Sequence, residues 1–177
     1  NYDSLTKEAK LAAMKAIGVH ADALTKKYPD RAEPLFWQAR SLMGQAGVNG
    51  GLSARGIMYD ALDKLEAAAK ITTNTLAVDT YITLGAMYGN APGFPLAFGN
   101  KKKAHANFKK ALELDPNGLG VNIEYAKVLF KFDDYAGALK YATAAANASP
   151  RPGRDKADKA AYAKAQELIT QSKAKLH

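Results

Sequence analysis

Cysteine is absent from the 177 residues, tryptophan occurs once and histidine three times. A chain without cysteine cannot be a disulfide scaffold, hold zinc or an iron–sulfur cluster through thiolates, or use a cysteine nucleophile. No run of about 20 apolar residues occurs, the length that a membrane-spanning helix needs. The chain begins at Asn1 without a basic segment leading into an apolar core, so any export signal would lie outside it. β-Branched residues are few, whereas alanine accounts for 35 positions, and leucine and lysine are also abundant. These are strong helix formers, and the expectation is an all-α protein. With 47% hydrophobic and 24% charged residues, the composition is that of a globular chain of one domain.

Charge is the next constraint. Lysine and arginine number 25 against 17 aspartate and glutamate, a formal net charge of +8. The excess sits at Lys101–Lys103 with Lys109 and Lys110, and along the tail from Arg151 to Lys175. No arginine-rich stripe with interleaved aromatics accompanies it, so it reads as solvated helix faces and not as a nucleic-acid footprint.

What the sequence does contain is an internal repeat. Asn122, Tyr125, Ala126 and Leu129 lie three, four and seven residues apart, one face of a helix. Ala138, Ala142 and Ala145 form a second, small-residue face, and Pro150 ends that helix. Asp133 and Asp134 between them suit a turn and a cap. The same spacing recurs at Tyr81, Leu84, Gly85 and Tyr88, followed by Ala104, Phe108, Ala111 and Pro116. A weaker copy has Leu35, Gln38, Ala39 and Leu42, then Ala61, Leu65, Ala68 and Thr73 in place of proline. The spacing predicts eight helices, at about 4–28, 33–45, 53–71, 75–89, 100–114, 119–131, 134–147 and 155–175.

This pattern, from Leu35 to Pro150, resembles the tetratricopeptide repeat (TPR) family. The resemblance implies an antiparallel helix-hairpin superhelix of about three repeats over 33–150, with inserted loops at 44–54 and 89–100. Helices within 1–30 and 151–177 would cap the stack at its two ends. In TPR stacks the first helix of each repeat lines a concave face. Carried over position by position, the groove candidates are Glu33, Phe36, Arg40 and Met43, then Asp79, Ile82, Ala86 and Asn90, then Ile123, Lys127, Phe130 and Lys131. TPR proteins that grip a C-terminal carboxylate use lysine, asparagine and arginine on these faces. Here Phe36, Ile82 and Ile123 stand at such places, so that clamp is not expected.

Catalytic patterns fail one by one. His20, His105 and His177 fall on separate elements without metal-ligand spacing. The carboxylate pairs Asp133–Asp134 and Asp155–Asp158 sit where helices start, a position favourable to negative charge in any helix. Gly93 to Lys101 superficially resembles a phosphate-binding loop, but five residues separate its glycines, no Ser or Thr follows the lysine, and it follows a helix. No enzyme activity, cofactor or metal is expected. That loop is nonetheless the most individual segment, with Phe94, Leu96 and Phe98 alternating between glycines and prolines. Two readings are open: the loop packs back on the helices, or it forms a lip beside the groove.

Leu84-Gly85 with Tyr88, then Pro92 to Gly99 and Lys103-Ala104, is similar to a group of bacterial exported TPR-like proteins. Asn117-Gly118-Leu119 with Asn122, and Arg151 to Arg154 with Asp158, match that group's later motifs. The group is similar to the TPR partner subunit of tripartite ATP-independent periplasmic (TRAP) transporters. The resemblance implies a periplasmic or envelope-associated scaffold that binds a protein or peptide through its concave face. The alternative it leaves open is an accessory protein of a TRAP-type system that binds a small, hydrophobic ligand. Exposed helices of such stacks also pair, which leaves homo-oligomerisation open.

Overall fold

Three helix starts are closed by the side chain that precedes them. Thr6 accepts a hydrogen bond from the Ala9 N–H at 3.2 Å, Asn100 from Lys103 at 2.9 Å, and Asp134 from Gly137 at 2.9 Å. Each satisfies one of the first-turn donors that a helix leaves without a partner. The computed structural model describes residues 4–71 and 74–177, and among these residues the chain is all-helical, with eight helices and no strand. They are α1 (Lys7–Lys27), α2 (Ala32–Asn49), α3 (Gly51–Ala68), α4 (Ala77–Asn90), α5 (Lys101–Leu114), α6 (Leu119–Lys131), α7 (Tyr135–Ala146) and α8 (Asp155–Leu176). Their positions follow the apolar spacing in the sequence. Within the span read as one domain, the chain divides into two compact units, Asn1–Thr80 and Tyr81–His177.

In the first unit α2 packs against both α1 and α3. Ala21, Ala32, Phe36, Ala39, Ala46, Ala61, Leu62, Leu65 and Ala68 form its interior. Small residues set the approach of α1 to α2. A Cβ on Gly18 would stand 2.6 Å from the Ser41 hydroxyl oxygen, and one on Gly44 would stand 2.3 Å from the Met14 sulfur. The Ser41 hydroxyl, buried by that approach, donates to the Met14 carbonyl oxygen at 2.6 Å.

The loop expected at 44–54 is not there. Helix α2 continues to Asn49 and α3 begins at Gly51, so the extra residues lengthen both helices. The turn is confined to Gly50 and Gly51, whose φ angles of 65° and 64° are cheap only for glycine. Gln45, Ala46 and Val48 have no reason to leave the helix before that point. Thr73, the third copy's counterpart of the repeat-ending proline, lies outside the described residues.

In the second unit α7 packs against α6 and α8, and α6 also meets α8. Leu119, Ile123, Ala126, Ala142, Ala145, Ala165 and Leu168 form one apolar cluster. An aromatic column ties in α5: Phe108 stacks on Tyr125 at 4.7 Å, and Tyr125 lies 4.6 Å from Tyr141. Burial pushes the Tyr125 hydroxyl up to about 12, so it stays protonated beside His105 Nδ1 at 2.9 Å. Ala104, Ala111, Ala138, Ala142 and Ala145 are completely buried. Asn122, also buried, donates to the carbonyls of Pro116 and Gly118 at 3.0 and 2.9 Å and closes the turn before α6.

The entry to α8 is held by charge. Asp158 is buried and accepts from the Arg151 backbone N–H at 2.6 Å and from its guanidinium Nε at 2.8 Å. The Arg151 side chain holds the Asp158 carboxyl below its ordinary range, and the backbone bond adds to this.

Helical glycines divide into two kinds. A Cβ on Gly85 would meet the Phe108 ring at 2.8 Å, and one on Gly89 would meet Val128 Cγ1 at 2.5 Å, whereas nothing lies within 4 Å at Gly56. Gly85→Ala is therefore expected to lower the unfolding free energy by about 1–3 kcal/mol through overpacking. Gly56→Ala is expected to raise it by about 0.5–1 kcal/mol through helix propensity alone. Urea unfolding followed by circular dichroism measures both, and equal effects at the two sites would exclude steric control of the α4–α5 approach.

Candidate functional site

An open groove of about 510 Å³ runs between α1 and α2. From α1 it takes Ile17, His20, Ala21 and Leu24, positions three, four and seven apart, which a helix brings to one face. From α2 it takes Glu33, Pro34 and Trp37. Three of its large apolar residues remain open to solvent: Ile17 is 37% exposed, Leu24 46% and Trp37 48%. Trp37 is braced edge-to-face by the buried Phe36 ring, at 5.7 Å between centroids and 84° between planes. A rigid indole costs little further ordering when it is covered, which makes it an effective anchor for a partner.

The polar end of the groove is Glu33. Arg31 donates to its carboxylate through Nε at 3.0 Å and through the guanidinium's terminal nitrogen at 3.1 Å. Thr75 donates through its hydroxyl at 2.5 Å and its N–H at 3.2 Å. These bonds, the arginine's first, pull the Glu33 carboxyl down to about 2. Glu33 therefore stays charged and pins the start of α2 to the segment after α3.

A second opening, of about 470 Å³, involves the three helices of this unit and includes Lys15 and Asp22 of α1, Gln38, Ser41 and Gln45 of α2, and Lys64 of α3. Gln38 is fixed there by donating to Asp22 at 3.2 Å. Its carbonyl oxygen is buried without a hydrogen-bond partner. That atom has no surface a ligand could reach, so the opening offers its lysines and Asp22 more than its amide.

The other groove candidates divide between the two units. On α2, Phe36 is interior, Arg40 exposed and Met43 half-buried. Asp79, in the first unit, is exposed. In the second unit Ile82 and Ala86 are half-buried and Asn90 is exposed, its carbonyl accepting from Lys131 Nζ at 2.7 Å. Lys127 pairs with Glu124 at 2.8 Å, and Phe130 meets Tyr135 edge-on at 5.2 Å. Ile123 belongs to the buried cluster of α6, α7 and α8. Phe36 and Ile123 are thus interior residues and have no surface to offer a partner. Asn90 and Lys131 are joined directly.

The loop between α4 and α5 divides its apolar residues. Phe98 turns onto Tyr88, edge-to-face at 6.2 Å, while Phe94 and Leu96 stay in solvent. Among the described residues no three histidine, aspartate or glutamate side chains gather where a metal could sit, and no helix is long and apolar enough to cross a membrane. No protein-family model matches this chain, and no curated protein does.

The repeat spacing does not single out Ile17, Leu24 and Trp37, because Ile17 and Leu24 lie on the helix before the repeats and Trp37 lies between groove positions. The signal was available in the stripe Ile17–Ala21–Leu24–Tyr28 on a lysine-rich helix, and in the single tryptophan.

The Glu33 contacts set an acid dependence. A carboxyl lowered from 4.5 to about 2 on folding adds stability that is complete above about pH 5. That stability fades as pH falls from about 4.5 towards 2, where Glu33 takes up its proton. Glu33→Gln should cost about 1 kcal/mol at pH 7, the exposed Arg31 limiting the value, and should flatten this part of the stability profile. Chemical unfolding at a series of pH values measures it; an unchanged slope in the variant would mean that Glu33 does not hold this contact.

Proposed function

We propose that this chain is a TPR-like binding module without catalytic chemistry, and that it holds an apolar segment of a protein partner in the groove between α1 and α2. The observation that carries this reading is the half-exposed trio Ile17, Leu24 and Trp37 along one open groove. Apolar area of this kind is stabilised by being covered, at about 25 cal/mol per Å², and solvent-exposed apolar grooves mark interaction sites more often than decoration. The helical spacing of Ile17, His20, Ala21 and Leu24 suits a partner laid along α1 in extended or helical form. The repeat spacing supports a helix-hairpin stack, with α2–α3 joined through Gly50 and α6–α7 through three residues. A location in the bacterial envelope rests on the motif resemblance from Leu84 to Asp158.

A photo-crosslinking amino acid placed at Leu24 in the living source cell tests the reading, with the same probe at Leu114 as a comparison. The expected result is a discrete protein adduct from position 24 and none from position 114. With that partner purified, Trp37→Ala and Leu24→Asp should each weaken binding at least about tenfold, or about 1.4 kcal/mol. A partner held equally well by both variants would overturn the groove. A small molecule copurifying with the wild type, together with no protein adduct, would favour the transport-accessory alternative.

A further inference from the structure

The loop from Ala91 to Asn100 keeps its shape through its backbone. Gly99 N–H donates to the Pro92 carbonyl at 2.8 Å, Leu96 and Ala97 both donate to the Gly93 carbonyl at 3.0 and 3.2 Å, and Asn100 N–H reaches back to the Tyr88 carbonyl at 2.9 Å. The two ends approach so closely that a Cβ on Gly99 would stand 2.1 Å from the Ala91 carbonyl oxygen. Phe98 alone of the three alternating apolar residues is spent on this closure, against Tyr88.

Phe94 and Leu96 play no part in it, with exposures of 92% and 69%. Two large apolar side chains in water on an ordered loop are unfavourable, and no hydrogen bond within the loop requires them to be apolar. The base of the same loop is basic. Lys101, Lys102 and Lys103 form the first turn of α5, directly after the loop, and Lys131 donates to the Asn90 carbonyl where the loop leaves α4. Lys101 lies over the Phe132 ring at 4.8 Å and Lys131 against a carbonyl, so their contacts are with neutral groups, whereas Lys103 is held by the loop's own support, donating to the Tyr88 hydroxyl at 3.0 Å. The carboxylates that follow Phe132 direct their hydrogen bonds elsewhere: Asp133 accepts from the Tyr135 hydroxyl at 2.6 Å and Asp134 caps α7. Three lysines in a first helical turn oppose the positive end of the helix, a charge arrangement that folding does not favour.

An apolar tip above a cationic base is the order of layers that an anionic bilayer presents in reverse, with hydrocarbon beneath acidic headgroups. We infer that this loop docks the second unit on a membrane surface rich in anionic phospholipid, with Phe94 and Leu96 entering the acyl boundary and Lys101, Lys102 and Lys131 meeting the headgroups. The contact is peripheral and reversible, since two side chains and a few lysines give far less than a spanning helix. It does not depend on the groove between α1 and α2, which belongs to the other unit.

Flotation of the whole chain with vesicles of phosphatidylcholine containing about 30% phosphatidylglycerol tests the inference. The absence of native cysteine allows a nitrobenzoxadiazole label at Phe94→Cys, with Leu114→Cys at the other end of α5 as comparison. The expected result is flotation with anionic vesicles, at least about tenfold weaker with phosphatidylcholine alone and declining as salt rises from about 0.05 to about 0.5 M. The label at 94 should shift to the blue and the label at 114 should not. Phe94→Ser with Leu96→Ser, and separately Lys101→Glu with Lys102→Glu, should each lower the bound fraction at least about tenfold. Unchanged thermal melting of these surface variants would show that their fold is intact. Absence of flotation at low salt, flotation of the Phe94→Ser, Leu96→Ser variant at the wild-type level, or an unshifted label at 94 would each overturn the inference. So would a wild-type dimer in sedimentation that the same variant abolishes, since a second copy would then cover the loop.

Discussion

Close approach of helix to helix through small side chains is the constraint on which both units depend. Where Gly18 faces Ser41, Gly44 faces Met14, Gly85 faces Phe108 and Gly89 faces Val128, the missing Cβ leaves the space that a neighbouring side chain fills. The completely buried alanines at 104, 111, 138, 142 and 145 do the same with one methyl group each. Packing at this distance lets a modest number of large residues, Phe108 and Leu65 among them, close an interior at the density that native cores require. It also buries hydroxyl and amide groups that must then be satisfied locally, as Ser41 is by Met14 and Asn122 by the turn before α6.

Polar ties secure the places where this packing stops. Glu33 joins the start of α2 to Thr75, and Asp158 joins the start of α8 to Arg151. In each case a carboxylate ties two neighbouring segments, and its lowered pKa shows that the folded state favours the charged form. Beside this packing and these turns, the apolar surface that remains outside is conspicuous. The groove of Ile17, Leu24 and Trp37 is concave and has a fixed aromatic anchor, which suits a polypeptide. The loop of Phe94 and Leu96 is convex and stands on lysines, which suits a charged, deformable surface. The proposed roles differ because the shapes and charges differ.

Secondary structure was almost entirely legible from the residues. The repeated spacing placed the helices, since one apolar face per 3.6 residues is a local signal, and Asp134 marked the start that it caps. The extent of α2 and α3 was not legible, because ten additional residues between two repeat faces can lengthen helices or form a loop, and only the glycine pair at 50–51 decides which. Site residues were harder to read. Phe36 and Ile123 occupy repeat positions associated with a groove, yet neighbouring helices bury them. Ile17 and Trp37 belong to no such position, yet they stay in solvent. Exposure depends on what packs against a face, and no residue's own spacing contains that information.

The sequence by itself determined the all-α class, the positions of the helices and the small-residue faces that let them meet, because these follow from local propensity and periodicity. Tertiary structure alone decided which apolar residues were left over. It turned Phe98 inward on Tyr88 and left Phe94 and Leu96 outside, though the three alternate identically along the chain. The reason is physical: burial is a property of the whole set of contacts around a side chain, and those contacts come from residues distant in sequence.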